Sequence, residues 1–215
     1  MQSRKLFELT GGRLCLDFVN TVDNRPSERR RELLETYADL ASWSRQSGIL
    51  SSREEEELLR RADREPRRAS KVLARAISLR EALFALFSRG DSAGLDGLRS
   101  ALPAAYQGPV LEAGPPYQLL WKDDAAALDR MLGPIVRSAV ELLTSAERDR
   151  IRVCGADDCD WLFLDESRSR SRQWCNMAVC GNRAKARRFY RRQRALKRRG
   201  SRASRRSAGT RGRPS

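Results

Sequence analysis

Histidine is missing from all 215 residues of this chain. Its absence excludes catalytic triads built on histidine, imidazole metal ligands and the usual proton shuttle near neutral pH. Long apolar runs are missing too. No stretch approaches the roughly eighteen residues that a membrane-spanning helix needs, and Met1–Thr10 lacks the apolar centre of a signal peptide. The expectation is a soluble, cytoplasmic protein with no membrane partner, whose thiols stay reduced and available to metal. No internal repeat is visible. Acidic residues stop at Glu166. Residues 167–215 hold 18 Lys and Arg without one Asp or Glu, whereas residues 1–150 hold 24 basic and 23 acidic side chains. The formal charge of +15 is therefore concentrated in the last quarter. A field so one-sided points to a polyanionic partner, nucleic acid ahead of an anionic membrane surface.

Cysteine is scarce, five in all, yet four of the five form two pairs. Cys154 and Cys159 have four residues between them, as do Cys175 and Cys180, and fifteen residues separate the pairs. Short turns of this length can aim two sulfurs inward, and the apolar run Trp161-Leu-Phe-Leu164 lies between them. Four thiolates satisfy tetrahedral zinc, and the metal closes a loop too small for a core of its own. We expect one Zn2+ per chain on Cys154, Cys159, Cys175 and Cys180. An iron–sulfur cluster and a reversible disulfide are the alternatives. Backbone amides in both turns are expected to donate to the sulfurs. Cys15, flanked by Leu14 and Leu16, reads as a buried strand or strand-end residue.

Apolar spacing predicts the rest. Leu6–Leu9 and Arg13–Val19 read as a hairpin turning at Gly11-Gly12, with Asp17 and Asn20 at its far end as caps or as part of a small-molecule pocket. Helices are expected over about 32–46, from Ser51 to about Arg64, from Pro66 to Arg89 and, weakly, over 94–105. Val110–Glu112 and Tyr117–Trp121 flank Ala113-Gly-Pro-Pro116 as a second hairpin, which could join the first in one small sheet. Asp123-Asp124 then caps a helical segment to about Ser145, kinked or broken at Pro134. Ile151–Val153 is a strand entering the first cysteine pair, and residues 165–172 are a polar connection.

The run Cys175-Asn-Met-Ala-Val-Cys180-Gly181-Asn182-Arg183, with Trp174 before it and a cysteine pair upstream, resembles the signature of the CGNR zinc-finger family. Gly11-Gly-Arg-Leu-Cys-Leu-Asp17-Phe-Val-Asn20-Thr21 is similar to the stress-induced transcriptional regulator domain that accompanies this finger. Together the two resemblances cover nearly the whole chain apart from its basic tail. They imply a transcriptional regulator.

The expected architecture is α+β. Residues 1–145 form a mainly helical regulatory, ligand-sensing or dimerisation domain with small antiparallel hairpins. Residues 151–199 form a treble-clef-like or ribbon-like four-cysteine zinc finger with a basic helix, and residues 200–215 a disordered basic tail. Asn182 is expected to cap or lock the helix start. At 100° per residue, Arg183, Arg187, Arg191, Arg194 and Arg198 share a stripe about 80° wide. Ala186, Phe189, Tyr190, Gln193 and Leu196 form most of another face, for packing. Arginine suits both phosphate and base-edge contacts, so double-stranded DNA is the expected partner and the nucleoid the expected location. Arg211-Gly-Arg213-Pro214 resembles the core of an AT-hook, a minor-groove element. The N-terminal domain is then the part to form a homodimer or sense a small-molecule effector. RNA binding, a protein-interaction adaptor and an enzyme using Asp17, Asp23, Glu28 or Glu32 are the rivals. A zinc held by four thiolates has no open position for water, which argues against an enzyme at the metal.

Overall fold

The apolar run after Gly12 folds as a helix, not a strand. α1 spans Leu14–Val19 and buries Cys15, Leu16, Phe18 and Val19. Positions i, i+1, i+3 and i+4 share one helical face. A strand would have sent Cys15 and Val19 to the face opposite Leu16 and Phe18. The expected partner strand is not formed either, and Leu6 is solvent-exposed. The structure, a computed structural model, describes residues 5–121 and 124–194. By contacts the chain divides into two units, Met1–Cys175 and Asn176–Ser215.

In the first unit, β1 (Val22–Asp23) and β2 (Arg31–Glu32) make a short hairpin that the polar sequence around Arg25-Pro26 conceals. Because Glu32 belongs to β2, α2 starts later than expected, at Tyr37, and runs to Gln46 under a capping box of Thr36 and Asp39. α3 (Ser52–Arg64) is capped the same way by Ser51 and Glu54. α4 (Pro66–Arg89) starts with proline, whose missing N–H costs nothing at that position, and stops at Gly90, where φ is 68°. α5 (Ser92–Ala105) crosses α4 so closely that a Cβ on Gly94 would lie 2.5 Å from the Ala82 carbonyl oxygen.

β3 (Pro109–Glu112) and β4 (Gln118–Trp121) form the second expected hairpin, with Leu111 opposite Leu119. α6 covers Leu132–Thr144, with Pro134 in its first turn, so the proline opens the helix and does not kink it. Asp123, read as part of the preceding cap, lies outside the described residues. A 3-10 turn over Ala146–Arg150 leads into β5 (Ile151–Val153), which pairs antiparallel with β6 (Leu162–Leu164). Among the described residues the strands form three separate two-stranded sheets, so the N-terminal segment and β3–β4 do not share one.

One apolar core unites this unit. α1 lies against α4, α6 and β6, and Leu16, Phe18, Trp43, Leu83, Met131 and Ile135 are among its fully buried side chains. Leu162 and Leu164 belong to the same core. Each buried leucine contributes about 1.5–3 kcal/mol. The core also holds a charge. Arg80 is wholly buried on α4, and its guanidinium forks onto Glu32 with both N···O distances at 2.6 Å. Burial of an arginine is tolerable only with such pairing. The second unit begins with one π-helical turn, Met177–Gly181, followed by α7 over residues 182–194. The fold is α+β and mainly helical.

Candidate metal centre and basic helix

The first cysteine pair is built on the β5–β6 hairpin. β5 delivers Cys154, whose N–H bonds to the Trp161 carbonyl at 2.8 Å, and Cys159 follows a turn closed onto Ala156. Three contacts tie the hairpin to the N-terminal segment. Asn20 exchanges two 2.8 Å hydrogen bonds with the backbone of Leu162, donating through Nδ2 and accepting through Oδ1. Trp161 Nε1 donates to the Val22 carbonyl at 2.8 Å. Leu164 N–H donates to the Gly11 carbonyl at 2.8 Å.

Residues 165–175 bring in the third cysteine. Asp165 is buried and accepts from Ser167 N–H and the Ser167 hydroxyl through one oxygen, and from Arg172 N–H at 3.0 Å through the other. The Ser167 hydroxyl bond, joined by the two amides and the charge of Arg152, holds the Asp165 carboxyl below the usual range despite its desolvation. Gly155 N–H reaches the Gln173 carbonyl at 2.9 Å, which lays the returning chain beside the first knuckle. Cys175 N–H then points at Cys154 Sγ, 3.5 Å away, an amide-to-sulfur contact of the expected kind.

The fourth cysteine sits on the π-turn. Asn176 caps that turn by accepting from Ala178 and Val179 N–H. Asn182, expected to cap or lock the helix start, donates to the Ala178 carbonyl at 3.0 Å and so ties the helix start to the π-turn. The sulfurs of Cys154, Cys159, Cys175 and Cys180 all lie within 4.8 Å of one another, and all four residues are buried. Cys159 and Cys175 Sγ are 3.7 Å apart. Tetrahedral zinc with bonds of about 2.3 Å places its sulfurs roughly 3.8 Å apart, so these residues fit one zinc ion.

As free thiols the sulfurs share protons. Hydrogen bonds from Cys159 and then Cys175 hold Cys154 far below the ordinary thiol range, whereas their bonds to Cys154 push both of those thiols up. A bound metal takes the place of those protons. Cys15 is separate. It is buried on α1, and desolvation raises its thiol to about 12, as suits a core residue.

Residues 12–146 match the ABATE family, described as a putative stress-induced transcription regulator. That stretch is more than half of the chain. The chain belongs to the ABATE family. Residues 150–193 of this ABATE protein match the CGNR zinc finger, so the metal centre is a recognised finger type and neither match is an enzyme family. Comparison with curated proteins gives no match. No described helix is long and apolar enough to cross a membrane.

The other candidate residues of the ABATE protein fall as follows. Asp17 accepts from Gly11 N–H at 2.7 Å, and Asn20 is committed to Leu162. A cavity of about 780 Å³ lies elsewhere, bordered by α4, α5 and the start of α6, with Leu79, Ala101, Leu132 and Val136 in its wall and an Arg75–Asp129 ion pair of 2.8 Å. Asp17 and Asn20 do not line it. On α7, Arg183, Arg191 and Arg194 are exposed and Arg187 is half-buried. Arg183 also donates from Nη2 to Cys180 Sγ at 3.2 Å. Phe189 and Tyr190, expected to pack, are 59% and 66% exposed. Arg198, Leu196, Arg211 and Arg213 lie outside the described residues. Sequence reading missed Asp165 and Arg172, because a serine–arginine run looks like a plain solvated linker.

Proposed function

We propose that this protein is a zinc-dependent transcriptional regulator that binds double-stranded DNA through α7. One observation carries the reading. A helix bearing Arg183, Lys185, Arg187, Arg188, Arg191, Arg192 and Arg194 starts directly after the cysteine-bearing turn, and no acidic residue follows Glu166. Zinc would fix the start of that helix, and its arginines would meet phosphates and base edges. Arg187, Arg191 and Arg194 form the DNA-facing stripe in this reading, extended by Arg198, with Arg183 nearest the metal. Arg211 and Arg213 add affinity through the tail. Residues 1–145 supply regulation or homodimerisation, and the cavity beside Leu79 and Val136 is the place for a small-molecule effector. The protein acts in the cytoplasm on the nucleoid and is not an enzyme.

The test is binding of the zinc-loaded full chain to duplex DNA across a salt series. Removing one phosphate-contacting arginine should lower the logarithmic salt slope by about one unit. Charge reversal of Arg187, Arg191 and Arg194 together should abolish binding, and unchanged binding would reject the stripe. A second reading has its own support. Phe189 and Tyr190 expose their rings beside these arginines, a surface that suits stacking on unpaired bases. Preference for RNA over duplex DNA in matched competition would replace the DNA reading with that one.

A further inference from the structure

The loop between the hairpin and the second cysteine pair ends in a side chain that reaches the backbone of Cys175. Arg172 is half-buried, and its guanidinium serves three backbone carbonyls. Nε donates to Trp174 at 2.9 Å, Nη2 donates to Cys175, and Nη1 reaches Leu164 at 3.4 Å. Its Cζ lies over the Phe163 ring, 4.4 Å from the centroid. The backbone N–H of the same residue is held by the buried carboxylate of Asp165. Arg172 therefore joins the end of β6 to the peptide that presents Cys175. A lysine cannot do this, because its single ammonium lacks the planar fork that reaches several carbonyls at once.

Charge gives the arrangement a second purpose. Zinc with four thiolates carries a net charge of about −2, and all four cysteines here are buried. Buried charge requires compensation. Arg172 brings a cation to the peptide of Cys175, and Arg183 donates from Nη2 to Cys180 Sγ at 3.2 Å. A guanidinium hydrogen bond to a ligand sulfur offsets its negative charge and fixes its position, as the hydrogen-bond partners of metal ligands do in general.

We infer that Arg172 and Arg183 are positioning residues of the metal centre, Arg172 by locking the Cys175 peptide and Arg183 by neutralising the Cys180 thiolate, and that together they set how tightly the finger retains zinc. The inference rests on the four-thiolate site and is independent of which nucleic acid the helix binds.

The experiment measures zinc release from the full-length zinc-loaded protein to a coloured chelator in excess. Arg172→Ala should release zinc roughly 10- to 100-fold faster than the parent. Arg172→Lys should fall between, keeping charge but losing the fork. Arg183→Ala should also accelerate release, and Arg183→Lys should restore most of the retention. Arg168→Ala is the control, since Arg168 is exposed in the same loop and a simple loss of positive charge would affect it equally. Cobalt(II) loading adds a spectroscopic check. The Arg172→Lys protein should keep a four-thiolate tetrahedral spectrum with altered band positions. Release from Arg172→Ala and Arg183→Ala at the parental rate would overturn the inference, as would equal acceleration by Arg168→Ala. An Arg172→Ala chain that cannot take up cobalt, while Arg168→Ala does, supports it.

Discussion

Asn20 shows how a polar side chain in an apolar run can be mistaken for a ligand contact. Its amide is a two-way clamp on the Leu162 backbone, buried with both bonds at 2.8 Å. Asn20→Ala leaves a buried N–H and C=O without partners, and each such group costs about 1–3 kcal/mol. Denaturant unfolding of the zinc-loaded protein should register a loss of roughly 3 kcal/mol. Asp17 makes a pH prediction. Burial pushes its carboxyl from the ordinary 3.8 up to about 6, against the opposing bonds from Gly11 and Thr10 N–H. Between these values the folded chain keeps a proton that the unfolded chain has lost. Its contribution to stability is therefore complete below about pH 4 and is lost as pH rises through about 6, by on the order of 2 kcal/mol. Asp17→Asn should abolish this slope while still accepting from Gly11 N–H. The stability difference between variant and parent, followed from pH 4.5 to 7.5, should move in favour of the variant as pH rises. A flat difference would mean that Asp17 is not protonated in the fold.

Elements were legible wherever local chemistry agreed with the final packing. The serine cap and glutamate of α3, the opening proline of α4 and its closing Gly90 are local signals, and each operates where it stands in the chain. α1 was not legible as a helix, because a six-residue apolar run fits either period and only its neighbours decide which one buries more. The α4–α5 crossing gives a test at this scale. Gly94→Ala puts a methyl group 2.5 Å from the Ala82 carbonyl oxygen, which belongs to backbone and cannot swing aside. Separation of the helices should cost about 1–3 kcal/mol, visible as a lower thermal midpoint with the metal content unchanged. An unchanged midpoint would mean that the two helices part without loss.

At the scale of the molecule, the first cysteine pair is structurally continuous with the helices that precede it. β6 contributes Leu162 and Leu164 to the common core, and residues 11, 20 and 22 of the N-terminal segment hydrogen-bond to this hairpin. A fragment of residues 1–145 would lose all of these partners. It should unfold at a lower temperature and less cooperatively than residues 1–175 carried in the full chain, as read by circular dichroism. Chelation of zinc from the full chain should shift the same helical signal downwards, since metal binding free energy is shared with the fold it stabilises. Equal midpoints for the fragment and the metal-loaded chain would show that the hairpin is a passenger on the core.

Residue spacing by itself picked out the four cysteines that the fold gathers, the long helices and the one-sided charge, because cysteine pairs, capping boxes, amphipathic stripes and runs of arginine act over a few residues. Tertiary structure decided what long-range contacts control. It turned Leu14–Val19 into a helix, made Asn20 a clamp, buried Arg80 against Glu32 and set Arg172 on the carbonyl of Cys175. None of these follows from spacing, since each depends on groups far apart in sequence, or looped back on the chain, meeting in the folded structure.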